Sequence, residues 1–211
     1  ILYPDTFYLI RGNHEFDYLC SQYGFKNEIL NYYNHIEATK QPQANLYEDY
    51  YSQHNHIDCY KYTDKLYYSF IGAFSYLPIC AIVNNKTFCI HGGLSPKLKY
   101  LEDINQSINR PINNFEDSKL LSDLVWSDPT FNANCPFTIN PRGRGYLFNK
   151  QSAITFLKNN SLRRIIRGHE CIEKGIYKNF GDKCITVFSA SSYDKMVENS
   201  SGILQISEID D

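Results

Sequence analysis

Three of the six histidines share one setting. His14, His91 and His169 each occupy a short polar turn beside glycine, in Arg11-Gly12-Asn13-His14, His91-Gly92-Gly93 and Gly168-His169. Glycine next to a ligand lets the backbone turn sharply and leaves room for an imidazole to face an open site. Asn13 adds a hard amide oxygen. Imidazole nitrogen with oxygen and no thiolate suits Mn, Fe or catalytic Zn, and does not suit a closed structural zinc. Any one of these histidines alone reads as a core residue. Their recurrence in one context makes them site candidates.

The elements that must position them follow one grammar. Phe7-Tyr8-Leu9-Ile10, Thr87-Phe88-Cys89-Ile90, Arg163-Arg164-Ile165-Ile166 and Cys184-Ile185-Thr186-Val187-Phe188 are strand-like runs, each leading into a polar turn rich in Gly or Ser. Near-continuous apolar runs belong to strands buried on both faces, and α/β sheets place ligands in the loops at strand ends. Between the runs, Tyr67, Phe70, Ile71, Phe74 and Leu77 mark a helix stopping at Pro78. A second helix is predicted over 150–158, capped by Asn149, with Ala153, Ile154 and Leu157 inward. Residues 81–83 and 87–89 flank Asn84-Asn85-Lys86 as a hairpin, and 202–206 reads as a closing strand. The polar, Tyr-rich stretch 35–64 reads as a surface insertion, and its His54 and His56 as surface side chains.

Composition excludes other classes. The 211 residues fit one substantial domain, or two small ones. Lys and Arg number 21 against 23 Asp and Glu, a net charge of -2, so the cation surplus that a duplex binder needs is absent. No apolar run approaches the roughly 18 residues of a membrane span. The seven cysteines are scattered, with no CxxC pair, and read as reduced, mostly buried thiols in a cytoplasmic or nuclear setting. The opening Ile1-Leu2-Tyr3-Pro4 reads as the interior of a longer protein.

Leu9-Ile10-Arg11-Gly12-Asn13-His14-Glu15 resembles the GNHE signature of the phosphoprotein phosphatase (PPP) serine/threonine phosphatases. In the same family order follow Tyr23-Gly24-Phe25, Leu77-Pro78-Ile79, the HGGLSP segment at 91–96 and Trp126-Ser127-Asp128-Pro129. Then come Pro141-Arg142-Gly143-Arg144-Gly145-Tyr146, Arg167-Gly168-His169-Glu170 and Phe188-Ser189-Ala190 with Tyr193. The resemblance implies a calcineurin-like metallophosphoesterase fold, an α/β sandwich of two mixed sheets flanked by helices. It implies two divalent metal ions (Mn, Fe or Zn), with Asn13, His91 and His169 as ligands of the second. It also implies His14 as general acid, Arg142 and Asn13 as phosphate binders, and Tyr193 bordering the substrate. Phosphoserine and phosphothreonine would be hydrolysed by direct attack of a metal-bridging hydroxide. Phosphoproteins would be substrates and regulatory subunits partners, with no role for nucleic acid or membrane.

The chemistry is self-consistent. Two metals about 3.5–4 Å apart can activate water and neutralise phosphoryl oxygens. An arginine fork matches two phosphate oxygens as lysine cannot. An imidazole, titrating near pH 6.5 in reference peptides, can carry the leaving-group proton.

The family's earlier motifs, GDxHG and GDxVDRG, are absent from these residues, and with them the first-metal ligands. The expectation is therefore the C-terminal greater part of a phosphatase domain over 1–211, inactive in isolation and with exposed apolar edges. Smaller departures are Asn149, where the family usually has glycine, and Asp194, where several members have cysteine. Arg11 and Arg167 read as strand-end ion pairs, and Glu15 and Glu170 as loop-fixing carboxylates. The rival readings are a catalytically incompetent binding module and a dinucleoside-tetraphosphate hydrolase.

Overall fold

The computed structural model describes residues 3, 5–40, 52–132, 134–193 and 198–207, with side chains omitted for 34–40 and 52–62. The chain divides into two compact units, 14–76 and 1–13 with 77–211.

The first unit is helical: α1 (Asp17–Gln22), α2 (Phe25–Lys40) and α3 (Ser52–Ser75). Its core is Cys20, Ile29 and a fully buried Tyr67, with Phe25, Ile71 and Phe74 packed against them. Tyr67 donates its hydroxyl to the Asp17 carboxylate at 2.6 Å, so the one polar atom of the buried ring is satisfied. Burial and that carboxylate push the phenol above its usual range. The predicted helix from Tyr67 to Leu77 is the last third of α3, which ends at Ser75, before Leu77. Helix α2 has no strong apolar stripe, so its periodicity predicts no element there. The stretch read as an insertion, 35–64, is helical at 35–40 and 52–64, and 41–51 lie outside the described residues. The side chains of His54 and His56 lie outside them too.

The second unit carries the sheets. Strands β1 (Cys80–Val83) and β2 (Thr87–Ile90) form the predicted hairpin, with Asn84 and Asn85 both at positive φ, 52° and 55°. Two consecutive left-handed residues define the turn that matches strand twist, and asparagine tolerates that region. Helices α4 (Glu102–Ser107) and α5 (Lys119–Trp126) follow. Next come β3 (Asp128–Pro129), β4 (Phe137–Ile139) and β5 (Tyr146–Phe148). Helix α6 (Lys150–Asn159) precedes β6 (Arg164–Arg167), β7 (Ile176–Asp182) and β8 (Cys184–Val187).

The larger sheet runs β1-β2-β6-β8-β7, with β2, β6 and β8 parallel and an antiparallel edge strand on each side. The smaller sheet runs β3-β5-β4 and is also mixed. Both are as expected of the fold class. Three of the four strand-like runs are the adjacent parallel strands. Phe88, Ile165 and Cys184 are fully buried in them, and Phe156 of α6 packs against Phe88 with the rings tilted and their centres 5.1 Å apart. Asn149 caps α6 as predicted, accepting from the Ser152 amide at 3.0 Å. Phe156, which the sequence reading left out, is buried beside Ala153 and Leu157, while Ile154 is only half-buried.

Two strand expectations fail. Residues 7–10 make no strand among the described residues, and Phe7, Tyr8 and Leu9 are exposed. Residues 202–206 are also irregular. A strand needs a ladder partner as well as an apolar run, and neither stretch pairs with a described strand. No helix among the described residues is long and apolar enough to cross a membrane.

The six cysteines with described side chains are free thiols: Cys20 and Cys184 buried, Cys80 and Cys89 half-buried, Cys135 and Cys171 exposed. Mostly buried was thus an over-reading. Burial pushes Cys184 up to about 12 and Cys80 to about 11, so neither offers a thiolate near neutral pH. Iodoacetamide labelling followed by peptide mass mapping should modify Cys135 and Cys171 first and spare Cys184 until unfolding. Phe88→Ala should cost about 3–5 kcal/mol in urea unfolding, whereas the exposed Phe131→Ala should shift stability by about 0.5 kcal/mol or less.

Candidate active site

Asn13, His91 and His169 come from three separate stretches of the second unit and meet at the C-terminal ends of its parallel strands. His91 follows β2 directly, and His169 stands two residues after β6. The strands are paired in register Ile90 to Arg167, so the two turns are neighbours, and the Gly168 amide donates to the His91 carbonyl at 3.0 Å. The imidazoles stand edge-on with centres 5.0 Å apart. Asn13 is buried, and its Oδ1 is 2.8 Å from His91 Nε2.

Glycine makes this approach possible. Gly92 and Gly93 both donate their amides to the Leu124 carbonyl, at 3.0 and 3.1 Å. A Cβ on Gly92 would stand 2.6 Å from the Val125 carbonyl carbon, closer than any side chain can come to backbone. The His91 turn is thereby seated directly on α5. Trp126, the last residue of that helix, packs edge-on against the His169 ring at 5.5 Å.

His169 is the least ordinary residue here. Its φ is +65°, a left-handed backbone conformation that a non-glycine residue adopts only when the surroundings enforce it. Its Nε2 is buried and has no hydrogen-bond partner among the described residues. Burial lowers its pKa to about 3, with Arg167, His91 and Arg142 opposing protonation and Asp128 favouring it. The ring is therefore neutral at physiological pH, and a neutral imidazole keeps a lone pair on one of its two nitrogens.

A neutral imidazole with a buried, unpartnered nitrogen, beside a second imidazole that itself meets an amide oxygen, fits a divalent cation. Two donors sharing such an ion at about 2.0–2.2 Å stand about 3 Å apart, the spacing Asn13 and His91 already have. Among the described residues no group of three His, Cys, Asp or Glu side chains forms a complete cage. Two imidazoles and one amide are what this stretch brings together.

Arg142 is anchored beside them. Its Nε donates to Asp128 Oδ2 at 2.7 Å, and its backbone amide donates to Asn140 Oδ1 at 3.0 Å. No described residue bonds its two terminal nitrogens, and the side chain is 40% exposed. Gly145, at φ +68°, lets the following backbone pass so close to Trp126 and Ser127 that a Cβ would sit 2.7 Å away. Arg142 opens on a cavity of about 410 Å³ lined by Asp128, Thr130, Asn140, Pro141 and Glu170.

Asp128, which the sequence offers only as part of the Trp-Ser-Asp-Pro segment, joins the two arginines of the site. Its other oxygen accepts from Arg167 at 2.7 Å. Arg167 is fully buried and also donates to Gly92 O at 2.6 Å, Ser127 O at 3.2 Å and Glu170 at 2.6 Å. The sequence signal was slight, an aspartate between Ser127 and Pro129; once buried, its carboxylate needs a cation or hydrogen-bond donors beside it. Arg167 makes the strand-end ion pairs expected of it, with Asp128 and with Glu170, and that bond ties Glu170 to its own turn, whereas the described bond of Arg11 goes to a backbone carbonyl, Ile112 O, at 2.7 Å. Burial would raise the Asp128 carboxyl, but Arg167, Asn140, His169 and Arg142 together hold it below its usual range. Burial pushes the Glu170 carboxyl up despite Arg167.

The remaining predicted residues are less tightly tied. Tyr193 is exposed on its own loop, edge-on to Phe188 at 5.1 Å, with its amide donating to Asn199 Oδ1 at 2.9 Å. Asp194 lies outside the described residues. His14 opens the helical unit and is exposed; its ring meets Tyr23 at 4.9 Å, and its carbonyl accepts from the Cys20 thiol at 2.9 Å.

A mixed-sheet α/β unit with histidines, an amide and an arginine at its strand ends is a metallophosphoesterase arrangement. The chain belongs to the calcineurin-like phosphoesterase family, whose model matches residues 1–173. It is 33% identical over 207 residues to the PP2A-like serine/threonine-protein phosphatase PPG1 of Candida albicans, covering 97% of this chain and 42% of that one. It is 31% identical over 205 residues to a serine/threonine-protein phosphatase of Caenorhabditis elegans, covering 97% and 38%. Among solved structures, a serine/threonine phosphatase from Saccharomyces cerevisiae with similarity to human phosphatase PP5 superposes with TM-score 0.68. The two are 30% identical over 91% of this chain and 50% of that chain. The chain thus spans about two-fifths of the length of the curated relatives.

Asp128→Asn should destabilise the unit by about 3–5 kcal/mol, because it leaves the Arg167 charge buried with one fewer counter-charge. The pH dependence has a definite sign. A carboxyl held lower in the folded than in the unfolded state, where it titrates near pH 3.9, stabilises above that pH. Below it the contribution is lost, so the gap between wild type and Asp128→Asn in urea unfolding should shrink as pH falls from about 5 toward 3.

Proposed function

We propose that this chain is the metal-binding and phosphate-binding part of a serine/threonine protein phosphatase that hydrolyses phosphoserine and phosphothreonine in proteins. The observation that carries the reading is the convergence of Asn13, His91 and the unpartnered His169 nitrogen beside the anchored Arg142. The serine/threonine phosphatase names of the relatives support the same substrate class. Asn13 Oδ1, one nitrogen of His91 and His169 Nε2 would hold a divalent cation, Mn, Fe or Zn by donor type. When bound, such a cation supplies positive charge against the phosphoryl oxygens and acidifies water.

The chain's own residues do the rest. Arg142, fixed through Nε, presents its two terminal nitrogens as a fork for two phosphate oxygens. The carboxylate of Asp128 keeps that fork oriented before substrate arrives, so little side-chain freedom is lost on binding. Neutral His169 stays a donor down to acidic pH. His14 acts as the general acid that returns a proton to the serine or threonine oxygen, and Tyr193 borders the substrate. Regulatory subunits are proposed as partners alongside phosphoprotein substrates.

The full-length protein, assayed with Mn²⁺, should release phosphate from a phosphothreonine peptide. Arg142→Ala should lower kcat/KM about 100-fold, mostly through KM if the fork binds ground state and transition state alike. Preferential hydrolysis of a dinucleoside tetraphosphate would overturn the protein-phosphatase assignment. For the 211 residues alone, isothermal titration with Mn²⁺ should give at most one tight site and weak turnover, and His169→Ala should abolish that site. Two tight sites in these residues would contradict the ligand assignment.

A further inference from the structure

We propose that the N-terminal ends of the parallel strands, remote along each strand from the histidine turns, form a docking surface for an acidic peptide segment of a partner protein. The residue directly before each of the three adjacent strands is a cation: Lys86 before β2, Arg163 before β6 and Lys183 before β8. All three are exposed.

Backbone bonds hold them side by side. The Arg163 amide donates to Lys86 O at 2.7 Å, and the Ile165 amide donates to Lys183 O at 2.9 Å. Lys183 Nζ reaches the Arg163 carbonyl at 3.4 Å. Neighbouring strands lie about 4.8 Å apart, so the three cations span about 10 Å.

Two more cations lie nearby, Arg164 at the start of β6 and Lys178 on β7. Asp182, the carboxylate at the end of β7, is paired with Lys178 at 2.7 Å. The Lys178 hydrogen bond comes first in holding its carboxyl low, and Arg164 and Arg163 act in the same direction. Among the described residues no carboxylate forms an ion pair with Lys86, Arg163 or Lys183. In a chain of net charge -2 this is a local concentration of positive charge.

Its dimensions select the occupant. Carboxylates two residues apart on an extended peptide are about 6.6–7 Å apart, so three or four acidic residues cover the platform. A nucleic-acid backbone gains its affinity from a longer track, with about 6–10 phosphate contacts. The hairpin tip beside the cations is Asn84-Asn85, polar and exposed, and offers nothing to insert into a lipid surface.

The experiment is fluorescence polarisation of a labelled octaglutamate peptide against the full chain, at two salt concentrations. Binding should weaken as salt rises, and K86Q/R163Q/K183Q should lose about tenfold in affinity while keeping the wild-type circular dichroism spectrum. Should the triple variant not fold, the single variants Lys86→Gln and Lys183→Gln must each weaken the peptide. Equal binding by wild type and variants overturns the proposal. So does preference for a single-stranded oligonucleotide or for phosphatidylserine vesicles over the peptide.

Discussion

The site rests on one buried cation. Moving a guanidinium out of water costs several kcal/mol unless its donors are matched, and Arg167 is completely buried. Its four partners are drawn from three places: Gly92 after β2, Ser127 and Asp128 after α5, and Glu170 in its own turn. Each bond relieves part of the desolvation cost, and each also fixes the loop that supplies the acceptor. The Gly92 bond seats the His91 turn. The Asp128 bond positions the carboxylate whose second oxygen holds Arg142. A lysine could not serve, since one ammonium cannot present nitrogens along the three directions that these acceptors occupy. Metal-side donors and phosphate-side donor are thus held by the same charge network.

Against that rigid network, His169 is a place where local preference is overridden. A left-handed backbone, a buried polar nitrogen without a partner and a pKa near 3 would each be selected against in an ordinary core. Their coincidence in one residue is the pattern expected where stability is given up for function. The surroundings enforce it. Trp126 fills one side of the ring, His91 another, and Arg167 and Arg142 disfavour a positive charge there. Solvent water or a bound cation is the natural partner for such a nitrogen.

Much of this was legible in the sequence because the informative elements are periodic or short-range. Three parallel strands announced themselves as apolar runs ending in turns rich in glycine or serine. Asn149 announced α6, and Asn84-Asn85 announced a hairpin. Each of those signals is local: a cap, a turn or a run decides the outcome with little help from elsewhere. The failures are non-local. Phe7–Ile10 has strand chemistry but no described neighbour to pair with, so the apolar run alone misled. Helix α2 is held by Ile29 against Tyr67 of α3, a contact that no stripe in its own sequence reveals. Asp128 was legible as a motif, but its two arginines come from 14 and 39 residues away, and only the fold brings them together.

The parallel arrangement also explains why one end of the sheet collects donors and the other cations. In an antiparallel sheet, the strand starts alternate between the two edges, so a rule about what precedes a strand is scattered over both. In β2, β6 and β8 the starts coincide and the ends coincide. Residues that follow these strands meet one another, as His91 and His169 do. Residues that precede them also meet, as Lys86, Arg163 and Lys183 do. Sheets themselves have little net dipole, so the difference between the ends is written in side chains and not in the backbone. The two ends can then change independently: substitutions at the strand starts alter surface charge without touching the packed layer of Phe88, Ile165 and Cys184 that separates them from the histidines.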